Sequence, residues 1–86
     1  MKLLRIIVDF EKTFTLDPSM WMQFIRVANF HGHRVYVITN CREAEGQDVR
    51  NAVHPVGRYL CDILYAGVKS KRLYLAARGM KFDVLV

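Results

Sequence analysis

Asp9 and Glu11 stand two positions apart at the end of "RIIVDF", and two hydroxyls follow at Thr13 and Thr15. A β-branched run that stops in paired acids and alcohols suits chemistry on a phosphoryl group. One carboxylate attacks phosphorus, and the second trades a proton with the leaving oxygen. Such chemistry also needs donors that hold an oxyanion, and the sequence offers three: the hydroxyl of Thr39, the amide of Asn40 and the ammonium of Lys71, which opens a helix. In isolation each has a plainer reading. Asp9 is a strand-end acid satisfied by nearby backbone N–H groups, Thr39 and Asn40 are common strand-end residues, and Lys71 is an ordinary first-turn lysine. Their order along the chain is what makes them a candidate site.

The elements that must bring these residues together are legible in outline. Leu3 to Val8 is nearly all apolar, as expected of a strand covered on both faces of a parallel sheet. "TLDPSMWMQFIRVANFHG" predicts a helix with Asp17 as N-cap, Pro18 at the first helical position and Gly32 beyond the end. Trp21, Phe24, Ile25 and Ala28 form the stripe expected to face the core, with Trp21 and Met22 as the residues that would line a cap over the site. "RVYVITN" is a second strand closing at Thr39 and Asn40. "AEGQDVRNAVHPVGRYL" is a weaker helix carried by Val49, Ala52, Val53 and Val56, which Pro55 should end or kink near Val53. "CDILYAG" reads as a third strand. "SKRLYLAARGM" is a third helix with Ser70 as N-cap, Gly79 as stop and a buried side of Leu73, Ala76 and Ala77, and "FDVLV" is a fourth strand.

Strands separated by single helices imply right-handed crossovers, hence one three-layer α/β domain of Rossmann-like type over residues 1–86, with a parallel four-stranded sheet in the order 4-1-2-3. In open parallel sheets ligands sit beyond the carboxyl ends of the strands, and Asp9, Glu11, Thr39, Asn40 and the Gly67–Lys71 connection all fall there. His31, Gly32 and His33 fall at the opposite sheet end and read as a C-cap and turn rather than metal ligands; His54, beside Pro55, reads as a surface residue of the kink.

"VDFEKTFT", "VYVITN" and "KSKRLYLAARGMKFDVLV", in that order, resemble the first three motifs of the haloacid dehalogenase superfamily of phosphatases and the approach to the fourth. The resemblance covers nearly the whole chain. It implies Asp9 as nucleophile, Glu11 as acid/base, Thr39 as phosphate holder and Lys71 as the charge-neutralising lysine, with Lys69 the weaker candidate for that role. It also implies Mg²⁺ held by Asp9, the backbone carbonyl of Glu11, and acids just after the fourth strand.

Three departures qualify what the resemblance implies. Glu11 stands where the family has Asp, and a misplacement of that order costs about 10²-fold in rate. Lys12 replaces a turn glycine, which is strained if the turn requires positive φ and brings an ammonium to the metal position. The sequence reaches Val86 where the metal-binding acids should begin, and Asp83 lies at the other end of the fourth strand. Asp9 with Glu11 is then a poor Mg²⁺ site, and no resident cofactor is expected unless the phosphatase reading holds.

The preferred expectation is therefore a catalytically degenerate member: a small binding or regulatory protein that retains an anion pocket, of an economy that suits a viral accessory protein such as a phage product. The alternative is a Mg²⁺-dependent phosphatase or nucleotidase using Asp9. The "FDVLV" edge is expected to pair with a second copy or dock an unknown protein partner.

Composition fits one globular domain: 86 residues, 52% hydrophobic and 24% charged. No apolar stretch approaches the ~18 residues of a membrane span, because Arg5, Asp9 and Lys12 interrupt the best one. The opening "MKLLRIIVDF" lacks a small-residue cleavage site and reads as a strand, not a signal peptide. Cys41 and Cys61 show no metal or CxxC spacing and read as reduced thiols of a cytoplasmic protein. A net charge of +5 favours anionic partners. Nucleic acid is the weaker one, because Lys69, Lys71, Arg72, Arg78 and Lys81 read as a solvated face without interleaved aromatics.

Overall fold

Ile6, Ile7 and Val8 are at most 4% exposed, and they sit in the strand that the rest of the chain is wrapped around. The computed structural model describes residues 2–86. In chain order it contains β1 (Arg5–Asp9), α1 (Pro18–Phe30), β2 (Arg34–Thr39), α2 (Gln47–Val53), β3 (Asp62–Tyr65), α3 (Lys71–Ala77) and β4 (Val84–Leu85), with short 3-10 turns at Phe14–Leu16, Glu43–Glu45 and His54–Tyr59. All pairings are parallel: Arg5 to Asp9 lie opposite Arg34 to Ile38, Tyr36 to Thr39 opposite Asp62 to Tyr65, and Ile6 and Ile7 opposite Val84 and Leu85. The sheet order is β3-β2-β1-β4, which is 4-1-2-3 counted from its other edge.

Side chains alternate across a strand, so this one sheet builds two cores. Ile6, Val8, Val35 and Val37 face Ile25 and Ala28 of α1, together with Val53 and Val56 from α2 and the turn after it. Ile7, Ile38 and Leu64 face Leu75 of α3, with Tyr74, Met80 and Phe82 packed at the margin. A parallel strand covered on both faces has no polar side, which is why the β1 sequence runs apolar without alternation.

The helix punctuation follows the sequence reading. Asp17 accepts from the Met20 N–H at 3.2 Å, Pro18 opens α1, and Ser70 accepts from the Leu73 N–H at 3.2 Å. Gly32 and Gly79 follow α1 and α3 with φ of 87° and 64°. Only glycine adopts that conformation without strain, so both helices stop there. α2 ends at Val53, and the chain continues through Pro55 as a 3-10 turn that keeps Val56 buried.

Several expectations need correction. The buried side of α3 is Leu75, assisted by half-buried Tyr74; Leu73 is 66% exposed, and Ala76 and Ala77 are exposed too. The segment "LYLAA" is apolar on almost every side, so its period does not choose a face; the sheet does. On α1, Ile25 and Ala28 are buried, Trp21 is half-buried and Phe24 is 37% exposed, because the helix contacts the sheet along a narrower stripe than its apolar residues span. Ala52 of α2 is likewise exposed. The strands are shorter than the apolar runs that announce them: β1 begins at Arg5 and β4 is confined to Val84–Leu85.

No helix among the described residues is long and apolar enough to cross a membrane. Cys41 and Cys61 are both free thiols. His33 caps the sheet end away from Asp9, its Nδ1 accepting the Leu4 N–H at 3.0 Å.

Candidate functional site

Beyond the carboxyl end of the sheet the chain makes three excursions, each tied to the ladder it leaves. After β1, the Phe10 N–H still donates to Ile38 O at 2.9 Å, and the loop then folds over Phe14. Phe14 is buried and stacks on Phe10 with ring centroids 5.7 Å apart. This apolar anchor holds Glu11 between two fixed aromatic positions. After β2, Thr39 is fully buried while its carbonyl accepts the Ala66 N–H at 2.9 Å. After β3, the turn through Gly67 delivers Lys71 to the first position of α3.

These excursions bring five of the sequence-predicted residues into one hydrogen-bonded group. The Glu11 carboxylate accepts from the Thr39 hydroxyl at 2.5 Å, the Asn40 backbone N–H at 3.1 Å and the Lys71 ammonium at 3.3 Å. Asp9 pairs directly with the Lys71 ammonium through Oδ1. Its Oδ2 accepts the Lys12 N–H at 2.8 Å. Thr39 Oγ1 in turn accepts the Cys41 N–H at 3.2 Å, which fixes the direction in which its proton points. The ion-paired side chains are mostly withdrawn from water, with 18% of Lys71, 14% of Asp9 and 31% of Glu11 exposed. Charge-assisted hydrogen bonds in such surroundings are shorter and stronger than neutral ones.

Asn40 joins through its main chain; its side chain is exposed. Lys69 is exposed and lines a neighbouring cavity of about 540 Å³ with Arg42 and Arg78, away from Asp9. Lys12 has negative φ, so the expected strain of a non-glycine residue in that turn is absent: the turn closes on the Asp9 carboxylate instead of needing a left-handed residue. Thr15 spends its hydroxyl on the Glu11 carbonyl at 2.7 Å and so stiffens the loop. Trp21 and Met22 pack on the α1-side core and do not line the site. Arg50 gave no signal in spacing or type, yet it bridges Glu43 O and the Tyr65 hydroxyl at 3.0 and 3.1 Å and braces the loop after β2. Only the fold brings those partners within its reach.

Above this group opens a depression of about 650 Å³, lined among others by Asp9, Lys12, Thr13, Asn40, Lys71 and Arg72. Its rim carries more positive than negative charge and favours an anionic visitor. Magnesium fits the arrangement poorly. A hard cation needs near-octahedral oxygen ligation, but each of the four carboxylate oxygens of Asp9 and Glu11 already accepts from a protein donor, and the Lys71 ammonium lies against both side chains.

The arrangement defines a protein class only broadly: a parallel α/β domain with an acid pair, a hydroxyl and a lysine at the carboxyl edge of its sheet. A scan against protein-family models found no match, and searches of curated proteins and of solved structures returned none.

Proposed function

We propose that this chain is a catalytically degenerate domain of the haloacid dehalogenase-like type, which acts by binding rather than by turnover. One observation carries the reading: the side chains that would do the chemistry are spent on one another. A phosphoryl group in line with Asp9 would need the Thr39 hydroxyl, the Asn40 N–H and the Lys71 ammonium for its oxygens, and the Glu11 carboxylate holds all three. As acid or base Glu11 would have to reach a leaving group, yet it is hydrogen-bonded at the end of β2. The likeness of "VDFEKTFT" and "VYVITN" to the family's first two motifs supports the descent, and the basic rim supports an anionic partner.

A second reading, a Mg²⁺-dependent phosphatase using Asp9 as nucleophile, draws on the convergence of Asp9, Glu11, Thr39, Asn40 and Lys71 at one point. Hydrolysis of p-nitrophenyl phosphate and of nucleotides, with and without Mg²⁺, separates the two. Flat progress curves for the native protein and Asp9→Asn alike are expected; activity that vanishes in Asp9→Asn overturns the binding reading.

The proposed contact surface is the β4 edge, where Val84 and Leu85 are paired on one side with β1 at the margin of the sheet. An exposed strand edge recruits another strand, from a second copy or from a protein partner. Light scattering that reads a monomer at high concentration removes the homodimer from this proposal. A cytoplasmic setting fits the two free thiols.

A further inference from the structure

Resting on the binding reading above, we propose that Glu11 is a tethered ligand of its own site: its carboxylate fills an oxyanion cradle and is displaced before any external anion enters. The cradle consists of the Thr39 hydroxyl at 2.5 Å, the Asn40 N–H at 3.1 Å and the Lys71 ammonium at 3.3 Å from the Glu11 oxygens. One hydroxyl, one amide and one ammonium converging on a single carboxylate is the donor set that would serve a phosphate or a phosphate monoester equally well.

Two features make the carboxylate a movable occupant rather than a fixed brace. The stem of Glu11 leaves a loop backbone that is independently held by Phe14 and by the Thr15 hydroxyl on the Glu11 carbonyl, so the side chain can turn out while the main chain stays in position. Its side chain is also 31% exposed, the most accessible of the ion-paired group, and its partners Asn40 and Lys71 line an open depression of about 650 Å³ with Lys12 and Arg72 on the rim. A tetrahedral anion arriving there meets the rim cations first, then competes with a carboxylate for the donors. Without Glu11, the buried Thr39 hydroxyl would lose its acceptor and the Lys71 ammonium would keep only Asp9, and this accounts for the chain keeping the cradle filled.

Glu11→Ala empties the cradle, and calorimetric titration with inorganic phosphate reads the result. The variant is expected to bind phosphate at least tenfold more tightly than the native protein, and the combined Glu11→Ala and Thr39→Val variant to lose that gain. Asp48→Asn, which removes one exposed negative charge on α2, controls for net charge and should leave phosphate affinity at the native level. Should Glu11→Ala fail to fold, Glu11→Gln preserves the shape without the charge and should show a smaller gain of the same sign. Equal phosphate affinity in native and Glu11-substituted proteins overturns the proposal, as does a gain that Asp48→Asn reproduces. The outcome is independent of the hydrolysis assay: Asp9-dependent turnover by the native protein would sink the binding reading and leave the phosphate titration to decide the role of Glu11.

Discussion

Lys71 is shared by two carboxylates at the centre of the site, so its removal tests whether that group holds the sheet edge together. An exposed lysine–carboxylate pair contributes only about 0.2–1 kcal/mol. Deleting one member of a fully buried pair costs about 3–5 kcal/mol, because the other charge is left without compensation. With 18% of Lys71 and 14% of Asp9 exposed, the pair lies between these limits and nearer the second. Lys71→Met should therefore destabilise the domain by about 2–3 kcal/mol. At roughly 4–8 °C per kcal/mol for a domain of this size, the melting temperature falls by roughly 8–24 °C. The single cost mixes lost attraction with the repulsion of two unshielded acids, so a cycle with Asp9→Asn is needed to isolate the pair. The coupling between the two substitutions should be about 1–2 kcal/mol, the double variant being less damaged than the sum of the singles. Trp21 is the only tryptophan and lies half-buried against the α1-side core, so its fluorescence reports urea unfolding directly. The slope of each titration should stay constant across the four proteins. Coupling below about 0.5 kcal/mol, the level at which independent sites simply add, would refute the claim that these charges act on one another.

Two further outcomes follow from the packing and the charges. Leu75→Ala should cost about 2–5 kcal/mol as a core cavity, since Leu75 is 1% exposed, whereas Leu73→Ala, at a residue 66% exposed, should stay within about 0.5 kcal/mol; urea titration giving the reverse order would restore the face read from the sequence. Asp83, just before β4, has its carboxyl held below the usual range by the Arg5 backbone N–H at 2.9 Å and then by Lys2. A depressed carboxylate stabilises the fold above its unfolded midpoint, about pH 4 for aspartate, and loses that effect as pH falls through the lower folded value. Asp83→Asn should therefore melt below the native protein at neutral pH and converge with it in acid; a gap that widens in acid would contradict the assignment.

The sequence alone determined the order of strands and helices and the ends of α1 and α3. Asp17 with Pro18, Ser70, Gly32 and Gly79 punctuate helices through local backbone chemistry that needs no distant partner. The unbroken apolar run at Ile6 to Val8 announced a strand covered on both faces, and single-helix crossovers then required a parallel sheet. Strand-end positions also sufficed to nominate Asp9, Glu11, Thr39, Asn40 and Lys71 as neighbours, because parallel strands deliver all their carboxyl ends to one edge. The tertiary structure decided what those neighbours do with one another. That Glu11 takes the donors of Thr39, Asn40 and Lys71, and that Asn40 contributes its main chain, depends on side-chain directions fixed by a loop packed around Phe14. That α3 buries Leu75 and exposes Leu73 depends on which side of a nearly all-apolar helix meets the sheet. Periodicity and capping are read along the chain, whereas a hydrogen-bond partner more than twenty residues away is chosen only when the fold brings the two together.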